Sequence, residues 1–206
     1  MAPATAGTRT RQARATVCRA ESSRRNLLQA AGVAALTLAA PQSAHAAKLK
    51  GFNVVKDTGD KYLFAYPFGW QEVQVDGADV VYKDIIEPLE SISVTLAPTD
   101  KKDIKEYGSP NEVAGTLVEK VLTSPSQKST LIKSEEVVKD GKSYYQFEFT
   151  TKASNYQRHG LAIVTVAEGK LYTLTTGANE RRWNKMKDKI KTVVDSFQLI
   201  YGAGLY

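Results

Sequence analysis

Residues 158–176 read RHGLAIVTVAEGKLYTLTT, and this stretch decides the fold class. Two runs rich in apolar and β-branched side chains, residues 158–167 and 170–176, flank the turn pair Glu168-Gly169. Such runs on either side of a two-residue turn are typical of a β-hairpin. We therefore predict that the two runs are neighbouring antiparallel strands of one sheet.

Further hairpin signals lie on the N-terminal side of this stretch. Asp140-Gly141 separates candidate strands at residues 131–138 and 143–149. Asp76-Gly77 is a second turn pair, between candidate strands at residues 70–75 and 79–83. Shorter runs of β-formers give the remaining candidates, at residues 52–55, 62–66 and 91–96. Consecutive hairpins indicate a sheet that is mainly antiparallel.

Two helices are also predicted. Ser109-Pro110-Asn111-Glu112 has the pattern of a capping box, and an apolar stripe follows it at Val113, Leu117, Val118, Val121 and Leu122. Asn179 is a good N-cap for a second helix, whose stripe is Trp183, Met186, Ile190, Val193, Val194 and Phe197. The pattern predicts an α+β domain, an α-β-α sandwich in which helices cover both faces of a central, mainly antiparallel sheet.

The first 46 residues have the composition of a targeting sequence. Residues 1–25 are rich in Arg, Ala, Thr and Ser, and Arg24-Arg25 precedes an apolar run at residues 27–40 that is too short to cross a bilayer. Ala44-His45-Ala46 is a small-x-small cleavage site. We predict a bipartite chloroplast transit peptide and twin-arginine lumenal signal over residues 1–46, cleaved near Ala46/Ala47. A generic exported bacterial protein is the alternative. Residues 47–206 are predicted to form a single domain.

The positive charge of the chain belongs mainly to this segment. The chain has 28 Lys and Arg against 22 Asp and Glu, but residues 1–46 contain six arginines and one glutamate. Residues 47–206 therefore carry a net charge of +1, which gives no support for nucleic-acid binding. The single cysteine, Cys18, also lies in the targeting segment, so no disulfide or cysteine metal site is expected in the domain.

Sequence motifs for catalysis are absent. The chain has no Gly-x-Ser-x-Gly elbow, no phosphate loop or dinucleotide fingerprint, and no pair of histidines at zinc-site spacing. Outside the targeting segment His159 is the one histidine that could activate a nucleophile. We predict that the protein is not an enzyme and requires no cofactor.

Several segments resemble the PsbP domain. Residues 64–70, FAYPFGW, are similar to the segment that opens this domain, and residues 169–172, 177–183 and 193–197 resemble its C-terminal half in order and spacing. Residues 81–91 and 175–183 look like the PsbP-like branch rather than the oxygen-evolving subunit itself. The long N-terminal arm of that subunit also has no counterpart here. The resemblance implies a PsbP/Mog1-like fold.

The resemblance also implies a function. It indicates a non-catalytic auxiliary factor in the chloroplast thylakoid lumen, peripheral to the membrane rather than spanning it. Its partners would be the photosystem II core or assembly intermediates, and its role assembly, repair or support of the oxygen-evolving complex, where family members help retain calcium and chloride. Two alternatives stay open: a lumenal module that binds manganese or calcium, and a subunit or assembly factor of another complex such as NDH.

Four residues are candidate site residues. By resemblance, His159 and Glu180 correspond to a pair linked to metal binding, and such a pair would hold manganese, zinc or calcium loosely. The alternative is a half-exposed strand histidine and a first-turn acid favoured by the helix dipole. Arg181 and Arg182 are candidates for docking on an acidic partner surface, or are solvated charges. A further acidic set lacks the spacing of a calcium loop and is predicted to lie on the surface: Asp84, Glu87 and Glu90.

Overall fold

The computed structural model describes residues 50–200, so the predicted targeting segment 1–46 and its cleavage site lie outside the described residues. The strands of the described part are β1 Phe52–Asp57, β2 Tyr62–Pro67, β3 Gln71–Glu72, β4 Val80–Lys83, β5 Ser91–Pro98, β6 Lys128–Lys139, β7 Lys142–Lys152, β8 Gln157–Ala167, β9 Lys170–Asn179 and β10 Gln198–Leu199. The helices are α1 Pro110–Lys120 and α2 Trp183–Ser196, with short 3-10 helices at Ile104–Tyr107 and Glu180–Arg182.

Seven strands form one antiparallel sheet in the order β3-β4-β5-β9-β8-β7-β6. The predicted β8–β9 hairpin lies in its interior, with Arg158 paired to Asn179 and Ala167 to Lys170. Strands β1, β2 and β10 form a separate three-stranded antiparallel sheet. The mainly antiparallel sheet is therefore confirmed, and the small second sheet is a feature that the strand pattern did not predict.

Two of the predicted hairpin turns have the expected left-handed backbone. The φ angles are 49° at Asp140 and 76° at Gly141, and 48° at Glu168 and 72° at Gly169. Positive φ at both central residues gives a turn whose twist matches that of the flanking strands. These turns fix the register of β6 with β7 and of β8 with β9.

Side-chain alternation gives the large sheet two apolar faces. Along β8, Leu161 and Ile163 belong to one core cluster, and Ala162 and Val164 to the other. The first face, the α2 face, is covered by α2 and the small sheet through Phe64, Met186, Ile190, Val193, Val194 and Phe197. The second, the α1 face, is covered by α1 and the first 3-10 helix through Ile104, Val113, Ala114, Leu117 and Val118. The predicted α-β-α sandwich is confirmed.

Both helices have specific end contacts. The Ser109 hydroxyl accepts from the Glu112 amide, and the Glu112 carboxylate accepts from the Ser109 amide, so the predicted capping box is confirmed. At the end of α2, Nζ of Lys139 donates to three backbone carbonyl oxygens, those of Val194, Asp195 and Phe197, which complements the helix dipole. Burial lowers the pKa of Lys139 to about 8. Neither α-helix among residues 50–200 is long and apolar enough to cross a membrane.

Three local predictions are wrong. The candidate strand 70–75 is reduced to the two residues of β3, and Trp70 before it is buried in the core. Val121 follows the last residue of α1 and is exposed rather than part of the apolar stripe. Asn179 ends β9 and caps the 3-10 helix by accepting from the Arg181 amide, so α2 begins at Trp183.

Gly160 in β8 and Gly177 in β9 leave room for the side chain of Arg158, which crosses β9 at Gly177. Gly160 and Gly177 are register partners. A Cβ atom at Gly177 would lie 2.4 Å from the carbonyl oxygen of His159 and 3.0 Å from the guanidinium carbon of Arg158. At Gly160 it would lie 2.8 Å from the ring of Phe149. The absence of side chains here is therefore a packing requirement.

We expect Gly177→Ala to lower the free energy of unfolding by about 2–3 kcal/mol, because the clashing atom is backbone in a paired strand and cannot move aside. Chemical denaturation measures this change. The control is Gly115→Ala in α1, where a Cβ meets nothing within 4 Å and removal of a helical glycine should add about 0.5–1 kcal/mol. Equal effects of the two substitutions would contradict the packing argument.

Candidate functional site

His159 lies on β8 with its side chain on the α2 face. Its exposed fraction is 7%, so the alternative of a half-exposed strand histidine is wrong. The cause is Trp183 at the start of α2, whose ring stacks on the imidazole with centroids 3.8 Å apart and planes 5° apart. The covering aromatic ring makes His159 part of the buried structure of this face.

Two carboxylates contact the two ring nitrogens of His159. Nε2 lies 2.6 Å from Oε1 of Glu148, and Nδ1 lies 3.0 Å from Oε2 of Glu180. Glu148 comes from β7, where its pairing with Leu161 places it diagonally next to the histidine. Glu180 follows β9, where Ala178 pairs with His159. The fold therefore brings the candidate pair His159 and Glu180 together and adds Glu148, which the sequence analysis missed.

The two contacts define what His159 can do chemically. A neutral imidazole has one N–H group, so with both carboxylates ionised the two contacts are both hydrogen bonds only when the ring carries two protons. The imidazolium then donates charge-assisted bonds to Glu148 and Glu180, and Trp183 offers its π face to the cation. In this state no ring nitrogen is free to take a proton from a substrate.

His159 and Glu180 are the residues of this cluster that could hold a metal ion, in place of the proton on Nδ1. Neighbouring ligand atoms about 2.1 Å from an octahedral ion are about 3 Å apart, and the 3.0 Å between Nδ1 of His159 and Oε2 of Glu180 equals this separation as well as the length of an ordinary hydrogen bond. Glu148 would accept a hydrogen bond from Nε2, as outer carboxylates commonly do for metal-binding histidines. Glu180 is partly exposed, which leaves space for water ligands.

A second cluster centres on Arg182. Its Nε donates to Oε1 of Glu90, and its Nη1 lies 3.2 Å from Oε1 of Glu87. The contact with Glu90 raises the pKa of Arg182. Glu90 is 1% exposed, so the prediction of a surface acid is wrong for this residue. A carboxylate so far from water needs a cation beside it, and Arg182 supplies that charge.

The two candidate docking arginines therefore differ. The guanidinium of Arg182 is engaged within the chain, whereas Arg181 is exposed and its side chain has no hydrogen bond or ion pair with any of residues 50–200. Docking of a partner by Arg181 and Arg182 stays a prediction. Of the two, Arg181 is available without breaking an internal ion pair.

Three other carboxylates lie close together near the turn between β1 and β2. Ligand atoms of Asp57, Asp60 and Asp79 all lie within 4.8 Å of one another. Each already has a partner, because Asp57 accepts from the amides of Gly59 and Asp60, Asp60 pairs with Lys170, and Asp79 accepts from the Tyr62 hydroxyl. The pKa of Tyr62 is raised above its usual range, mainly by burial and secondly by the hydrogen bond to Asp79. The group is an internally paired cluster.

The part of the chain that forms these strands and helices is similar to known proteins. The family model described as PsbP matches residues 50–199, which include every strand and helix described above. The chain belongs to the PsbP family. The resemblance found in the sequence is thereby confirmed.

Individual PsbP relatives agree with this result. PsbP-like protein 1, chloroplastic, of Arabidopsis thaliana is 61% identical over 160 residues, which cover 78% of this chain and 70% of the relative. Photosynthetic NDH subunit of lumenal location 1, chloroplastic, from the same plant is 36% identical over 151 residues, 73% of this chain and 63%, less than two thirds, of the relative. The solution structure of CyanoP from Synechocystis matches with a TM-score of 0.63 and 32% identity, covering 72% and 92% of the two chains.

Two features of the site in this PsbP domain were not predicted from the sequence: the contact of Glu148 with His159 and the burial of Glu90. Glu148 carries a signal that could have identified it, since it alternates with aromatic residues in the run YYQFEF and the β7–β8 pairing places it near His159. Glu90 has a weaker signal. It precedes β5 with the same parity as Ile92, which belongs to the α2-face core, but only the tertiary position of Arg182 shows why a charge is tolerated there.

We expect Arg182→Gln to lower the free energy of unfolding by about 2 kcal/mol. Loss of one partner of a fully buried pair costs about 3–5 kcal/mol, and the cost is smaller here because the Arg182 side chain is 33% exposed. Thermal or chemical denaturation measures the effect.

Arg181→Gln is the matched control for this substitution, since it removes the same charge from the neighbouring, unpaired position. It should change the free energy of unfolding by less than about 0.5 kcal/mol. Equal losses for the two variants would show that Glu90 does not depend on Arg182.

Proposed function

We propose that this protein is a non-catalytic auxiliary factor of photosystem II that acts in its assembly or repair. The observation that carries the proposal is the 61% identity to PsbP-like protein 1 over 160 residues. The family resemblance described above supplies photosystem II as the partner. Fold alone would be weak evidence for a function, and identity at this level over the whole PsbP domain is considerably stronger.

The geometry of the polar clusters supports a binding role rather than catalysis. The ring nitrogens of His159 face Glu148 and Glu180, and Arg182 is bound to Glu87 and Glu90. Two open grooves flank the histidine cluster, one of about 260 Å³ between α2 and β6–β7 and one of about 340 Å³ beside Glu180 and Arg181; both lie near the lower end of the roughly 300–1,000 Å³ usual for small-molecule sites. These polar side chains are satisfied by one another instead of converging on an open pocket.

The thylakoid lumen is the proposed location, reached by the twin-arginine route. The names of two relatives include the word chloroplastic, and one of them also includes lumenal location. The paired arginines Arg24-Arg25, the apolar run at residues 27–40 and the site at Ala46/Ala47 supply the matching targeting signals. The protein would act there as a peripheral factor.

The test is recovery of photosystem II quantum yield after a pulse of strong light. A strain that lacks the protein should recover more slowly than its complemented parent, with a normal yield before the pulse. Complementation with Arg181→Gln asks in addition whether the exposed arginine contributes to docking. Normal recovery in the deletion strain would rule out the repair role. A deficit of assembled NDH complex in that strain would instead favour the role suggested by the name of the 36% identical relative.

A second candidate function is loose binding of manganese, zinc or calcium in the lumen. The specific observation in its favour is the 3.0 Å contact between Nδ1 of His159 and Oε2 of Glu180, together with Glu148 at the other nitrogen. A metal bound here would supply a positive charge that replaces the proton of the ring, and His159 and Glu180 would hold it while Glu148 orients the imidazole.

For this second function we expect Glu180→Gln to weaken binding of Zn²⁺ or Mn²⁺ by about tenfold or more, since an amide oxygen is a poorer ligand than a carboxylate. Isothermal titration calorimetry on the folded protein measures the affinity. Glu119→Gln on the exposed side of α1 is the control and should bind like wild type. Unchanged binding in Glu180→Gln, or in His159→Ala, would rule out the site.

A further inference from the structure

The loop between β4 and β5, residues 84–90, presents two large apolar side chains to solvent. The exposed fractions are 64% for Ile85 and 86% for Ile86. Phe68, also 64% exposed, precedes β3, whose first residue Gln71 pairs with Lys83 at the end of β4, so the two segments lie at the same end of the large sheet. Single exposed apolar residues are ordinary, but adjacent isoleucines at a loop tip form an apolar projection that water solvates poorly.

Hydrogen bonds within the 84–90 loop hold this tip in one conformation. Oδ1 of Asp84 accepts from the amides of Ile86 and Glu87 at 2.7 and 3.1 Å. The Asp84 amide donates to the carbonyl of Glu90 at 3.0 Å, and the Glu90 amide donates to the carbonyl of Glu87 at 2.8 Å. The loop is closed at its base and braced below its tip.

Two arginines fix the same loop to the domain from opposite faces of the large sheet. On the α2 face, Arg182 binds the carboxylates of Glu87 and Glu90. On the α1 face, Arg158 crosses Gly177 and donates to the carbonyl of Leu89 at 3.1 Å and, at 3.2 Å, to the hydroxyl of Ser91, the first residue of β5. The loop is thus preorganised by side chains that lie outside it.

We propose that the 84–90 loop is a docking element that inserts Ile85 and Ile86 into an uncharged apolar pocket of a protein partner. Resting on the proposed function, the pocket belongs to the photosystem II core or an assembly intermediate. A loop already held in its bound conformation loses little conformational entropy on binding. Burial of the two isoleucines supplies the favourable term.

The charges around the tip select this occupant over a membrane surface. Acidic and basic side chains at the base of the loop balance one another: Asp84, Glu87 and Glu90 against Lys83, Arg158 and Arg182. Anionic lipid surfaces attract loops with an excess of basic residues, and the surroundings of this loop have no such excess. A neutral apolar tip is complementary to a neutral apolar pocket, and its binding should depend little on salt.

The experiment measures equilibrium binding of the folded protein to immobilised photosystem II core complexes and to purified assembly intermediates, each at low and high salt. The double variant Ile85→Ser/Ile86→Ser should bind about tenfold or more weakly than wild type at both salt concentrations. The matched control is Val121→Ser/Val138→Ser, which changes two residues with exposed fractions of 63% and 62% elsewhere on the domain and should bind within about twofold of wild type. Thermal denaturation checks that both variants remain folded.

The outcomes separate the two levels of the proposal. Equal binding of wild type and the Ile85→Ser/Ile86→Ser variant overturns the docking role of the loop and leaves the proposed function standing. Absence of wild-type binding overturns both. Binding of wild type, but not of the double variant, to vesicles of galactolipid and phosphatidylglycerol overturns the protein pocket in favour of a lipid surface. Loss of self-association in the double variant, measured by sedimentation, would instead identify a second copy as the occupant.

Discussion

The buried carboxylate of Glu90 is the constraint on which the rest of this end of the domain depends. A charge that is 1% exposed is tolerated only beside a cation, so Arg182 must lie over the start of β5. That requirement fixes the 3-10 helix that carries Arg182, and with it the direction in which α2 leaves β9. Trp183, the next residue, is thereby placed on His159. One ion pair thus connects the loop, the helix start and the histidine cluster.

The glycines of β8 and β9 meet a matching requirement on the other face. Arg158 can reach the β4–β5 loop only because Gly177 has no side chain beneath its guanidinium. Burial lowers the pKa of Arg158 to about 10, so the group still carries its charge at neutral pH. The two arginines therefore hold one loop from both faces. Arg158 depends on Gly177 and Arg182 on Glu90, and both contacts join residues that are far apart in sequence.

The elements that could be predicted from sequence are those set by local rules. The β8–β9 hairpin follows from Glu168-Gly169, and the start of α1 from the Ser109 capping box. Local rules failed where a distant contact decides the outcome. Trp70 leaves its strand for the core, and Glu90 is buried because of Arg182. His159 and Glu180 came from the family resemblance, whereas Glu148 required the β7–β8 register.

The short 3-10 helix Glu180–Arg182 connects the two clusters. Glu180 contacts His159, Arg182 contacts Glu90, and Arg181 between them faces solvent. A ligand couples two sites only if it interacts differently with two arrangements of the segment that joins them. If a metal ion on Nδ1 of His159 moved Glu180, the turn could follow only by straining the contact of Arg182 with the carboxylate of Glu90, which has no access to water. Because that strain is costly, the 84–90 loop should keep its conformation whether or not the histidine cluster holds a metal. The proposed docking and the proposed metal binding should therefore be separable, although the residues that carry them are neighbours.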